Sequence, residues 1–346
     1  MPAATIVDDC RGIEEEAVRT LVLAMAREPH IQSFLIEGPG RRFARRFVAG
    51  ETLEAGIAAT AALTQEGARV SLDYLGEAVH DLREAEAARS VYEETIDRLR
   101  LTDAPVTVSL KPSQFGVDVD RDAALTLLLD VVGRAAKADL GVRLDMEDSS
   151  HTDVTLWLWR ALRREFTNVG VVLQAALYRT PADLEAVLAE GGSVRLCKGA
   201  YLESSSVAYP HKVDVDAAYR RLLDRLLTHA GAQAPTGILP TAAIATHDLK
   251  LINQAIALIH QLGLAGDRYE FQMLYGVRRD LQDNLLGRGY PLRIYTPWGP
   301  AWYPYLTRRL AERPANLTFM AGSILSEIIA RHASRPHARS VSSVRR

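Results

Sequence analysis

The 346-residue chain has only two cysteines, Cys10 and Cys197, far apart in sequence. That excludes a disulfide framework and suits a reducing compartment. It has no marked excess of either charge. With a formal net charge of -2, the field of the whole protein gives no reason to expect nucleic acid or an anionic surface as a partner. Long apolar runs are missing too. "LVLAMA" from Leu21 and "LTLLLDVVG" from Leu125 fall well short of the roughly 20 residues that span a bilayer, and the second contains Asp130. The start, "MPAATIVDDCRGIEEEAV", has neither a basic lead nor an apolar signal core, so the expected location is cytoplasmic. No GxGxxG or GxxxxGK[ST] occurs, and no HxH, HExxH or paired CxxC, so the usual signs of a dinucleotide turn, a P-loop and a metal site are absent and no metal is expected.

What is present is a repeated unit. With 48% hydrophobic and 24% charged residues, the chain can bury one large core or two ordinary ones. Eight short β-rich runs occur: "ARVSLDYLG", "VTVSLKPS", "GVRLDME", "VGVVLQA", "SVRLCKG", "AAIATH", "YEFQML" and "LRIYTP". Each ends in polar residues or glycine. Helical periodicity separates them, as in "RDAALTLLLDVVGRAAKA" and "HDLKLINQAIALIHQLG". Eight such units predict an α/β protein, a (β/α)8 barrel, rather than a doubly wound sheet. Residues 1–65 read as a helical arm ahead of the barrel, 66–330 as the barrel, and 331–346, rich in Ser and Arg, as a disordered basic tail.

A barrel of this kind carries its function at the carboxyl ends of its strands. Those ends bear Asp73, Glu77, Lys111, Asp145, Glu147, Gln174, Arg195, Lys198, His247, Gln272 and Tyr295. So many ionisable and amide groups around one mouth predict a binding site, because isolated buried charges are costly unless paired with each other or a ligand. Asp145 and Glu147, two apart, suit either a divalent metal or pairing with Arg143 at the rim. Gln174, inside "VVLQAA", requires a hydrogen-bond partner. His247, in "ATHD", reads as a structural histidine or as a ligand. In "AWYPYLTRRLAERPANL", Tyr305, Arg308, Arg309 and Glu312 would share one helix face. Two arginines beside a tyrosine make a fork for a carboxylate. A lysine at a strand end also suits Schiff-base chemistry, so Lys111 or Lys198 as an aldolase or lyase nucleophile stays open, as does a non-catalytic binding module.

The strings "SLDYLGE", "SLKPSQFG", "VRLDMED", "VRLCKGAY", "EFQMLYG" and "YLTRRLAERPAN", in this order, resemble the proline dehydrogenase family from about residue 45 to 325. The resemblance implies a distorted (β/α)8 barrel, non-covalent FAD, oxidation of L-proline to Δ1-pyrroline-5-carboxylate, and electron transfer to a quinone. It implies a carboxylate clamp of Lys111, Arg308 and Arg309, a ring pocket of Tyr295, Tyr305 and Leu274, and a gate pairing Glu77 with Arg308. On the flavin side it implies Asp145, Met146, Gln174, Arg195, Lys198, Gly199, Ala200, Thr246 and His247, with Arg195 answering charge that arrives on the ring; charge complementarity makes Asp145 the group expected to orient Arg195 and Lys111. Leu202, Val277 and Pro112 depart from the family pattern and bear on substrate preference rather than reaction type. Because the chain ends soon after the barrel, a monofunctional enzyme is expected, with a separate pyrroline-5-carboxylate dehydrogenase downstream. The amino-terminal helices and basic tail are candidates for peripheral contact with the inner face of the cell membrane.

Overall fold

In the strands, apolar residues alternate with polar ones: Val70 and Leu72, Val108 and Leu110, Val142 and Leu144, Val194 and Leu196, Phe271 and Met273 are buried in one cluster with the helices. Successive side chains in a strand point to opposite faces, so this pattern places one face against helices and leaves the other for a different environment. The computed structural model describes residues 46–76, 79–102, 105–235, 237–303 and 305–306. It shows a closed barrel of eight parallel strands in sequential order. They are β1 (Arg69–Tyr74), β2 (Val106–Leu110), β3 (Gly141–Leu144), β4 (Val169–Gln174), β5 (Val194–Cys197), β6 (Ala242–Ala245), β7 (Tyr269–Leu274) and β8 (Leu292–Trp298). All eight coincide with the β-rich runs read from the sequence.

Helix α1 (Leu53–Gln65) precedes the barrel and packs on β1 and β8. The outer layer is α2 (Leu82–Leu99), α3 (Arg121–Lys137), α4 (Thr152–Glu165), α5 (Thr180–Ala189), α6 (Lys212–Ala232), α7 (Leu249–Leu262) and α8 (Arg279–Gly287). Their starts are set by local chemistry. Asp81, Asp120 and Asp248 cap α2, α3 and α7, each side chain accepting backbone N–H groups of the first turn. Gly263 ends α7 at φ +61°, a conformation open to glycine. Pro112 opens a short 3-10 turn directly after β2, where its missing N–H costs no bond.

The inner face departs from the usual bulky aliphatic filling of such barrels. Ser71, Thr107, Ser109, Arg143, Arg195, Glu270, Gln272 and Arg293 are all buried, and their bonds cross between strands. Arg143, expected to pair with Asp145 or Glu147 at the rim, instead lies inside the barrel and donates to the carbonyls of Ser193 at 2.9 Å and Val171 at 3.4 Å. Burial and the neighbouring Arg195 push its guanidinium down to about 9. Gly170 makes room for it: a Cβ there would stand 2.6 Å from Arg143 Nη1. Among the described residues no helix is long and apolar enough to cross a membrane. Residues 1–45 of the expected arm and the expected tail lie outside the described residues.

Candidate active site

The parallel register brings four strand ends together. Asp73 on β1 is level with Ser109 on β2, two residues before Lys111, and β8 lies on the other side with Tyr295 level with Ser71. Lys111 Nζ donates to Asp73 Oδ1, stands 3.5 Å from Tyr295 Oη and 3.9 Å from Asp145 Oδ2. The Tyr295 hydroxyl donates to Asp145 Oδ2 at 2.6 Å. Two carboxylates and a lysine thus share one buried corner. Burial, aided by Asp145, raises the Asp73 carboxyl above its usual range against the pull of Lys111. For Lys111 burial is the largest influence and acts downward, but Asp73, Asp145 and Glu147 outweigh it and leave the ammonium above the ordinary lysine value. That is the wrong direction for an amine nucleophile, so the corner disfavours Schiff-base chemistry at Lys111.

Arg195 crosses the barrel from β5 and is held from three sides. Its Nη1 donates to Asp145 Oδ1 at 2.7 Å, its Nε to Gln272 Oε1 at 2.5 Å and its Nη2 to Ser109 Oγ at 3.1 Å. The guanidinium carbon sits 5.1 Å from the Tyr295 ring centre. A planar fork tethered to β2, β3 and β7 has little freedom left, and it is buried.

Around β4 to β6 the polar groups are likewise assigned. The Gln174 amide donates to the Glu147 carbonyl at 2.7 Å, while the Glu147 carboxylate accepts from the Ser113 N–H at 3.0 Å and hydroxyl at 2.5 Å. Neither Asp145 nor Glu147 is set out as a metal ligand. Among the described residues no group of three His, Cys, Asp or Glu side chains is arranged to hold a metal ion. Lys198 forms an ion pair with Asp216 at 2.5 Å and donates to Asp248 at 2.9 Å. Gly199, at φ +115°, comes so close to β4 that a Cβ would meet Ala176 at 3.1 Å and Gln174 Oε1 at 3.3 Å. His247 Nε2 accepts the backbone N–H of Leu274 at 2.9 Å, which puts the ring proton on Nδ1. Thr246 accepts from the Asp248 N–H at 3.1 Å. Met146 and Tyr305 are buried; Tyr305 packs with Phe47, Val48, Leu75 and Trp302. Gly199 and Ala200 are half-buried, while Tyr201 and Leu202 are exposed. Glu77, Arg308 and Arg309 lie outside the described residues.

The family model described as proline dehydrogenase matches residues 57–322. The chain belongs to the proline dehydrogenase family. It is 37% identical over 316 residues to proline dehydrogenase of Deinococcus radiodurans, covering 90% of this chain and 99% of that one. To proline dehydrogenase 1 of Bacillus subtilis it is 34% identical over 310 residues, covering 90% of this chain and all of the other. Among solved structures, proline utilization A from Bdellovibrio bacteriovorus superposes with a TM-score of 0.71 at 24% identity, covering 78% of this chain and 32% of that one. The chain therefore spans about a third of that larger protein, and this likeness speaks to the fold.

For a proline dehydrogenase chain, sequence reasoning found the upper ring of polar groups and missed the lower one. Ser109, Glu270 and Arg293 were not singled out, and neither were Asp216 and Asp248 as partners of Lys198. A signal existed for the first three. Each lies two residues along its strand from a recognised group (Lys111, Gln272, Tyr295), and so on the same face.

Proposed function

We propose that the barrel mouth oxidises L-proline at C5, giving Δ1-pyrroline-5-carboxylate, as the first step of proline degradation. The observation that carries this reading is the pairing of two cations of different reach, Lys111 and Arg195, on the single carboxylate Asp145, with the Tyr295 ring between them. A small amino acid with one carboxylate and a compact apolar ring fits such a mouth. Lys111, with Arg308 and Arg309, binds the carboxylate. Tyr295, Tyr305 and Leu274 wall the ring, and Glu77 closes on Arg308 to exclude water. Holding both ends of the substrate supplies the orientation that hydride transfer requires.

The residues present fit FAD. Gly199, at a φ of +115° that favours glycine, lays bare backbone beside Gln174, Gln174 is fixed by Glu147 with its carbonyl on the Gly199 side, and Lys198 adds a cation alongside. His247, with its proton on Nδ1, supplies one donor, and Met146, Ala200 and Thr246 complete the wall. When bound, FAD supplies the hydride acceptor. Arg195 is the cation placed to answer negative charge there. Proline's nitrogen must be neutral for its neighbouring carbon to release hydride, so the rate rises with pH. Electrons pass on to a quinone, which this chain reaches by peripheral contact with a membrane, and a separate dehydrogenase consumes the product. In domain terms, 1–65 is an arm, 66–330 the catalytic unit and 331–346 a tail.

The test is spectral. Purified protein loaded with FAD is mixed anaerobically with L-proline; the flavin absorbance should bleach, with one equivalent of pyrroline-5-carboxylate formed. A protein that binds no added FAD, or whose flavin stays oxidised, refutes the proposal.

A further inference from the structure

Beneath the mouth, the tether on Arg195 continues down the barrel axis. The Gln272 carbonyl accepts from Arg195 Nε, and the Gln272 amide nitrogen donates to Glu270 Oε1 at 2.6 Å. Glu270, two residues earlier on β7, is gripped by Arg293, whose Nε and Nη2 donate to its two oxygens at 2.8 and 3.1 Å, and by Arg69 at 3.2 Å. Arg293 is itself fixed to the Val70 carbonyl at 2.7 Å and the Pro105 carbonyl at 3.0 Å. The line from Arg293 to Asp145 therefore runs through consecutive hydrogen bonds among buried side chains.

The direction of each bond in this line is forced. An arginine can only donate, and an ionised carboxylate can only accept. Glu270 is ionised at any ordinary pH. Burial, its largest influence, acts upward, but Arg293, Gln272 and Arg69 together hold it down to about 2. Between an acceptor below and a donor above, the amide of Gln272 has one orientation, carbonyl toward Arg195. A carboxylate at 272 would do something different, since it would sit against Glu270 and give Arg195 a second counter-ion beside Asp145. The neutral amide transmits position without transmitting charge, so the guanidinium is fixed while, among the described residues, Asp145 is the carboxylate that neutralises it.

We infer that Gln272 and Glu270 are positioning residues for Arg195: Glu270 sets the Gln272 amide, and the amide sets the plane and net charge of the cation that faces the flavin. This rests on the proline dehydrogenase reading and adds a lower tier to it. Neither side chain is placed in contact with substrate or cofactor. Their effect is on how strongly the site favours the reduced cofactor, and only secondarily on proline binding, which belongs to Lys111 and the arginine pair.

The experiment compares wild type, Gln272→Met and Glu270→Gln, each loaded with FAD, by dye-referenced potential titration, by the rate of flavin bleaching at saturating proline, and by thermal melting. Gln272→Met keeps the side-chain length and leaves the Glu270, Arg293 and Arg69 cluster intact. Loss of one hydrogen bond to a charged group, transmitted in full, is about tenfold. The reduction equilibrium should therefore fall about tenfold, about 30 mV for a two-electron couple, and the bleaching rate by a similar factor, with FAD and proline affinities within about threefold. Glu270→Gln should move the potential the same way. A variant pair that melts lower but keeps the wild-type potential would assign these residues to barrel stability alone and overturn the inference, as would failure of both variants to fold. If wild-type protein binds no FAD, the functional reading fails first. If wild type bleaches with proline and Gln272→Met matches its potential, only this inference fails.

Discussion

Asp145→Asn perturbs the carboxylate that joins Arg195 and Tyr295. It swaps one oxygen for an amide nitrogen with no change of volume. Asp145 accepts from Arg195 at 2.7 Å and from Tyr295 at 2.6 Å. Hydrogen bonds to charged groups contribute about 1.5–3 kcal/mol and neutral ones about 0.5–1.5. Arg195 can only donate, so the new amide must turn its oxygen to Arg195 and its nitrogen to Tyr295. Tyr295 must then give up its donated bond and rotate its proton elsewhere. One bond keeps a charged partner and one becomes neutral with its direction reversed, a loss of about 2 kcal/mol. For a barrel of this size that lowers the melting temperature by about 3–4 °C. Asp145→Ala removes the anion together with both of its hydrogen bonds, costing about 3–5 kcal/mol. The functional consequence separates binding from turnover. Both variants add one positive charge to the mouth, so proline affinity should hold or tighten while the rate of flavin bleaching falls. The assays are differential scanning calorimetry and anaerobic stopped-flow absorbance across a proline titration. An Asp145→Asn protein that melts with wild type and bleaches at the wild-type rate would refute the claim that this carboxylate organises the site.

Three further outcomes follow from other parts of the molecule. Lys111→Met leaves Asp73 and Asp145 without the cation between them, so proline affinity should fall at least about tenfold, read from the proline dependence of bleaching; unchanged affinity would remove Lys111 from the clamp. His151 is held by Asp148 and Asp118 at 2.9 and 3.0 Å; burial acts downward on it, but these bonds outweigh burial and raise it to about 9 from 6.5. With the folded value raised, its stabilisation is complete below pH 6.5 and is lost as pH rises through 9; the urea midpoint should decline across that window, and His151→Gln should flatten the decline. Gly170→Ala places a Cβ 2.6 Å from Arg143 Nη1 and 2.8 Å from the Ser193 carbonyl, so it should destabilise by about 1–3 kcal/mol, seen as a lower melting temperature.

How much of this was legible in the sequence depends on which face of a strand is considered. The outward face was readable because Val, Leu and Ile alternate there against helices with their own period, so all eight strands and their order could be placed. The upper inner face was readable because Lys111, Asp145 and Gln174 end apolar runs and Arg195 sits in a strand only four residues long, where a barrel gathers its strand ends. The lower inner face was not. A charge within a strand, such as Glu270 or Arg293, ordinarily marks a solvent-facing position, and only closure of the sheet turns that face inward and makes the charges partners. Arg143 illustrates the limit of local reasoning: it shares a face with Asp145, yet its long side chain reaches the Ser193 carbonyl at the foot of β5. Lys198 finds its partners in Asp216 on α6 and in Asp248, the cap of α7. No spacing in the chain encodes that meeting.

In the proposed reaction the mouth holds proline so that C5, and no other carbon, gives hydride to bound FAD. The direct measurement is the anaerobic bleaching rate with proline deuterated at C5 against proline deuterated at C2. Bleaching should be slower with the C5 label and unchanged with the C2 label. Slowing by the C2 label alone would contradict the proposed reaction.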